Sequence, residues 1–142
     1  NSSLIVSAIK IFTIHQVDTA FKAGAHFIST KEVYRPVVTR TKELGLISIT
    51  GVSTASKAAE AIEYGTDILK AFPAINLSNA DFRDIVQASV MLGVPVVAAG
   101  GVEVEHLKGY GKLGVSGFAI GKAMFKSEDS IRDVKYKARR FV

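Results

Sequence analysis

The sequence predicts an α/β fold built on parallel strands, and three observations carry that expectation. Short apolar runs rich in β-branched residues recur at even spacing, amphipathic stretches separate them, and a glycine falls just past most of those stretches. Strand followed by helix, repeated along one chain, calls for parallel strands joined by right-handed crossovers.

The first strand is expected at Leu4–Ala8, followed by a helix over Gln16–Ala23 that Thr13 caps and Gly24 ends. His26–Ser29 reads as the second strand, and Glu32–Leu44, closed by Gly45, as its helix. Leu46–Thr50 is the third strand. Thr54 then caps a helix over Ser56–Tyr64, which Gly65 ends. Asp67–Ala71 is the fourth strand, with Ser78 capping a helix over Asp81–Leu92 and Gly93 behind it. Val94–Ala99 and Val104–Leu113, ended by Gly114, form the fifth unit. Gly117–Ile120 and Ser130–Phe141 form the sixth. Each unit takes roughly 20–28 residues, the size of a βα module. A closed barrel needs eight such units, whereas an open doubly wound sheet accommodates six; periodicity leaves both open.

The 142 residues suffice for one domain with a hydrophobic core, and no linker or low-complexity segment divides residues 1–142. Apolar residues make up 48% and charged ones 22%, the balance of a soluble folded chain. The longest apolar stretch, Val94–Val102, is far too short for a membrane span. The chain has no cysteine, which excludes disulfides, thiolate metal sites and cysteine nucleophiles. His15, His26 and His106 lack ligand spacing, so no metal is expected, and no cofactor motif is present. The net charge of +5 reads as a solvated basic surface. Its basic end (Arg132, Lys135, Lys137, Arg139, Arg140) suits an acidic partner or polyanion, but no nucleic-acid motif accompanies it. Asn1–Ser3 carry no signal-peptide pattern, and the chain is expected to begin inside a longer one. The lack of cysteine fits cytosol or an organelle matrix, plastid stroma included.

Lys70 is the most informative position. It lies in Asp67-Ile68-Leu69-Lys70-Ala71-Phe72-Pro73, where strand parity puts Ile68, Lys70 and Phe72 on one face. A lysine on a packed face loses solvation and some of its basicity, and a neutral amine attacks a ketone to form a Schiff base. A lysine that snorkels past the strand end to solvent fits the same pattern.

The segment Leu69-Lys70-Ala71-Phe72-Pro73-Ala74 resembles the "LKxFPA" signature of the KDPG (2-keto-3-deoxy-6-phosphogluconate) and 4-hydroxy-2-oxoglutarate aldolases. Four further segments match in order. Ala23-Gly24-Ala25-His26-Phe27-Ile28-Ser29 resembles "AGAxFivS", and Gly51-Val52-Ser53-Thr54 resembles part of "PGvsT". Gly100-Gly101-Val102 resembles "PTGGi", and Ala119-Ile120-Gly121 resembles the last phosphate-binding turn. The resemblance implies a TIM-type (β/α)8 barrel, entered here at its third strand, with about six units present and the first two missing. It also implies a Schiff-base lyase in which Lys70 forms the imine with pyruvate and Phe72 walls the pocket. Gly100, Gly101 and Gly121 would bring backbone N–H groups to a phosphate. Tight turns explain those glycines equally well, and core packing explains Phe72 equally well.

The departures from the family pattern fall at the same site. Ser7-Ala8-Ile9-Lys10 replaces "GaGT", so Ile9 and Lys10 are expected to crowd the space for pyruvate's carboxylate. The prolines of "SP" and "PGvsT" are Thr30 and Thr50, and the glutamate after the latter turn is Lys57. Ala98-Ala99-Gly100-Gly101 lacks the threonine of "PTGG", and Gly121-Lys122 replaces "GS". Lys10 and Lys122 bring positive charge able to hold an anion. In the family, the two strands expected to be missing here carry a proton-moving glutamate and arginines near the substrate's acid groups, and Asp67, of opposite parity, points away from Lys70. Two functional readings follow: a class I aldolase acting on pyruvate or a phosphorylated keto acid, or a noncatalytic aldolase-fold subunit of a larger assembly. A homotrimer, a second copy or a partner chain is expected to cover the open strand edges.

Overall fold

A computed structural model describes residues 4–142, in which six strands alternate with six α-helices. The strands are β1 (Ser7–Ile9), β2 (Phe27–Ser29), β3 (Ile47–Val52), β4 (Ile68–Ala71), β5 (Val96–Ala99) and β6 (Gly117–Ala119). The helices are α1 (Ile14–Lys22), α2 (Arg35–Glu43), α3 (Ala55–Glu63), α4 (Asn79–Met91), α5 (Val104–Lys112) and α6 (Ile131–Ala138). A single 3-10 turn, Ala74–Asn76, precedes α4 and has no counterpart in the sequence reading.

All neighbouring strands pair in parallel, and their order in the sheet is their order in sequence. A doubly wound sheet reverses direction at a switch point; this sheet does not, so it curls as a half-barrel. Its six strands form an open arc rather than the closed ring of eight.

Local chemistry explains the element ends. Thr13, Thr54 and Ser78 accept hydrogen bonds from the N–H groups of Gln16, Lys57 and Asp81. Gly24, Gly45, Gly65, Gly93 and Gly114 all take positive φ, between 70° and 93°, directly after helix C-caps. The first strand starts three residues later than expected. Its partner begins at Phe27, so the ladder opens at Ser7↔Phe27 and leaves Leu4–Val6 outside it. Val6 makes only a bracketing pair of bonds with His26, donating to Nδ1 at 3.1 Å and accepting the His26 N–H at 2.8 Å. β5 opens at Val96 because Pro95 has no N–H to give. α2 opens at Arg35 rather than Glu32, with Pro36 in its first turn.

Strand parity divides the sheet. Leu69, Ala71, Val96 and Ala98 face the helices and are buried with Ala58, Ala61, Phe82 and Ile85 in the main core. A smaller core joins Ile28 to Val17, Val37 and Leu46. Alternate residues (Ile49, Ile68, Lys70, Val97) line the concave face and are only partly buried. This face carries the lysine.

Candidate active site

Lys70 occupies the middle of the sheet. It pairs with Gly51 on β3 and Val97 on β5, so strands flank it on both sides. Its ammonium group reaches past β3 and donates to the Ser29 hydroxyl on β2 at 2.8 Å. Ile9 lies next along this face, in register with Ser29 and 62% exposed. The Lys70 Nζ also stands 5.2 Å from the centre of the Phe72 ring.

A second lysine belongs to this cluster. The Lys31 backbone, just after β2, packs against Gly51, and a Cβ at position 51 would lie 2.0 Å from the Lys31 carbonyl oxygen. Glycine at 51 is therefore what lets the β2–α2 connection close down beside Lys70. The Lys31 Nζ stands 5.9 Å from the Phe72 ring centre, so both ammonium groups address one ring.

These surroundings set the acidity of Lys70. Burial penalises its charged form and, with the Lys31 charge, pushes its pKa down to about 8. Roughly a tenth of the amine is then neutral at pH 7, against less than a thousandth for a solvated lysine. Among the described residues no carboxylate forms an ion pair with Lys70. Asp67 instead accepts from Lys42 Nζ at 2.7 Å and from the Ser48 N–H at 2.8 Å, as its strand parity requires.

The glycine pair after β5 is explained by packing. Gly100 has φ +88°, and a Cβ there would lie 2.9 Å from Cε2 of Phe72. At Gly101 a Cβ would lie 2.8 Å from Cβ of Ile75, whose N–H donates to the Gly100 carbonyl at 3.1 Å. The β5–α5 turn therefore lies directly on the β4–α4 connection and holds Phe72 from behind.

The remaining residues singled out from sequence stand apart. Lys10 is exposed and has φ 59°, left-handed for a lysine. Gly121 is exposed, and its carbonyl accepts from the Met124 and Phe125 N–H groups at 2.9 and 3.1 Å. Lys122 lines a surface hollow of about 500 Å³ with Phe125, Lys126, Ser127 and Glu128, a lining that includes none of Lys70, Phe72 or Gly100. A second hollow, about 580 Å³, lies against α6, lined by Ile131, Arg132, Lys135, Tyr136 and Arg139, and its lining shares no residue with the Lys70 cluster. Two of the three histidines serve local structure: His26 Nδ1 accepts from Val6, and His106 Nδ1 from Glu103.

Lys70, Phe72 and Gly100 thus come together, with Gly101 one residue behind, whereas no hydrogen bond links Lys10 or Lys122 to Lys70 among the described residues. Ser29 and Lys31 were missed as site residues. Ser29 had a signal, since it ends a strand with concave parity. Lys31 had none in its own segment, because its position depends on a tertiary contact with Gly51.

Comparison with known proteins points the same way. The family model described as "Aldolase: KDPG and KHG aldolase" matches residues 1–139. The chain is 26% identical over 138 residues to the 2-dehydro-3-deoxy-6-phosphogalactonate aldolase of Escherichia coli, covering 97% of this chain and 67% of that protein. Among solved structures, one described as native KDPGal superposes with a TM-score of 0.89 at 26% identity, over 96% of this chain and 66% of that one. The chain thus spans about two thirds of the length of these relatives. A thiamine phosphate pyrophosphorylase from Pyrococcus furiosus also matches, with a TM-score of 0.75 at 24% identity over 96% of this chain and 65% of its own. At that identity only the fold is shared.

Proposed function

The chain belongs to the KDPG and KHG aldolase family, and from that premise we propose that it is a class I aldolase cleaving a 2-keto-3-deoxy-6-phospho sugar acid reversibly into pyruvate and an aldehyde. The observation that carries this reading is the Lys70 amine: on the concave face, bonded to Ser29 Oγ, without an ion pair, and with its pKa pushed down to about 8.

The neutral amine adds to the keto carbon of the substrate, and loss of water gives a protonated imine. The bond between C3 and C4 then breaks. Its electron pair moves into the iminium to give an enamine, while the C4 hydroxyl loses its proton and leaves as the aldehyde. Protonation of the enamine at C3 and addition of water release pyruvate and restore Lys70. Phe72 lies against the same amine and is suited to cover the apolar side of the imine. The Ser29 hydroxyl, already at 2.8 Å, is the nearest group able to pass a proton. Phosphate binding by Gly100, Gly101, Gly121 and Lys122 is part of the same reading, as is assembly with further copies or partner chains.

A noncatalytic aldolase-fold subunit is the second reading. Ile9, in register with Ser29, favours it, since that side chain stands beside the proposed imine site. Incubation with pyruvate and sodium cyanoborohydride, followed by peptide mapping, separates the two. A pyruvyl adduct on Lys70 supports the aldolase; a folded chain with no adduct leaves the noncatalytic subunit.

A further inference from the structure

We infer that Lys31 supplies the positive charge of the Lys70 site and receives the carboxylate of the 2-keto acid whose carbonyl Lys70 attacks. The ligand named here rests on the aldolase reading above, and the placement of the charge rests on geometry alone.

In a 2-keto acid the carboxylate is bonded directly to the carbonyl carbon. Any cation that holds it must therefore stand within a few ångströms of the attacking amine. The elements around Lys70 offer few such groups. β2 offers the neutral Ser29, β3 offers Gly51, the residue after β4 is Phe72, and β5 offers Val97. Lys10 follows β1 on an exposed turn, and Lys122 lines a separate hollow. Among the described residues, Lys31 alone brings a further charge to the ring that Lys70 also faces.

Its backbone is fixed by the contact with Gly51, while its side chain stays exposed and takes part in none of the ion pairs among the described residues. A cation without an ion-pair partner among the described residues, standing at the same ring as the Lys70 amine, is available to an anionic substrate. The same charge opposes protonation of Lys70, in the direction already found for that amine. Carboxylate recognition and a share of the amine's activation, the larger share of which comes from burial, thus meet in one residue, and removing its charge weakens both.

The test compares wild type with Lys31→Met and Lys31→Arg, exposed-site changes that leave the Gly51 packing intact. Pyruvate trapping by cyanoborohydride is followed against concentration, with acetone as an uncharged ketone. Reductive methylation of Lys70 by formaldehyde is mapped from pH 6 to 10. For Lys31→Met we expect half-saturating pyruvate to rise about tenfold or more, the loss of one charge-assisted contact. Acetone trapping at high pH should stay unchanged. The methylation midpoint should move to higher pH, slowing the reaction at pH 8 about twofold. Lys31→Arg should keep both properties near wild type. Equal pyruvate saturation in wild type and Lys31→Met overturns the carboxylate role, and equal methylation midpoints overturn the placement of the charge. Methylation needs no substrate imine. Shifted midpoints in a chain that forms no pyruvate adduct therefore reject the aldolase reading while upholding Lys31 as the cation of the site.

Discussion

The middle of the sheet and its two margins are built differently. β3, β4 and β5 run six, four and four residues, and their helix-facing side chains are sealed by α3 and α4. β1 and β6 run three residues each, and α6 at the far end buries none of its side chains. Ile9 on β1 is 62% exposed and Phe118 on β6 is 36% exposed, whereas Leu69 on β4 is fully enclosed. The Lys70 amine stands on the tightly paired middle, where its position is over-determined. Of the residues proposed for anion binding from sequence, Lys10, Gly121 and Lys122 stand at the margins, whereas Gly100 and Gly101 follow β5. On the aldolase reading, the contrast puts the proposed nucleophile at the centre of the arc and leaves recognition of the distal end of a substrate to the flanks.

The largest test of that contrast is a pair of matched truncations. Phe82 on α4 is completely buried in the main core and stacks on Tyr110 at a ring separation of 4.8 Å. Phe82→Ala should cost about 3–5 kcal/mol, the transfer loss plus a cavity that rigid neighbours cannot fill. Phe118→Ala removes the same side chain at the margin and should cost less than half as much, because that ring is already partly hydrated. Urea unfolding of the two variants measures both. Similar losses would mean that the margins are as well packed as the centre.

A smaller effect reads the amine itself. The pKa of Lys70 is about 8 in the folded chain and near the ordinary lysine value of about 10.4 when unfolded. Below pH 8 both states hold the proton, and the folded state carries the full penalty of a half-buried charge. Between about pH 8 and 10.4 the unfolded chain binds more protons, so the Lys70 contribution to stability rises with pH. Lys70→Met removes this contribution. We expect the variant's advantage in urea midpoint to be greatest near pH 7 and to narrow toward pH 10. A gap independent of pH would mean that Lys70 titrates as a solvated lysine.

The same contrast explains what was legible in the sequence. Order, period and caps of the elements were readable because each rests on local chemistry: Thr13, Thr54 and Ser78 cap, and five glycines close, wherever the chain lies. The concave parity of Lys70 and Phe72 was readable for the same reason. The start of β1 was not, because Leu4–Val6 has strand chemistry but stays outside the ladder, with Val6 bonded only to His26. Lys31 was not readable either. Nothing in Thr30-Lys31-Glu32 says that its carbonyl will lie against a glycine on the next strand. The packing role of Gly100 and Gly101 needed Phe72 and Ile75, more than twenty residues away in sequence, to be in place.

The smallest expected effect is the most discriminating for the flank. A Cβ on Gly121 would meet no atom within 4 Å, and its φ lies outside the left-handed range, so no steric reason for glycine exists there. Gly100 is the opposite case, since a Cβ there must displace the Phe72 ring. Gly121→Ala should therefore change stability by no more than about 0.5 kcal/mol, as for most exposed positions. Because the fold is untouched, any effect on ligand binding can be read without correction. A methyl group at 121 would obstruct an anion approaching the backbone closely, so weaker inorganic phosphate binding by calorimetry in Gly121→Ala, with an unchanged urea midpoint, supports a phosphate turn at this margin. Identical phosphate binding in both chains would remove Gly121 from the site.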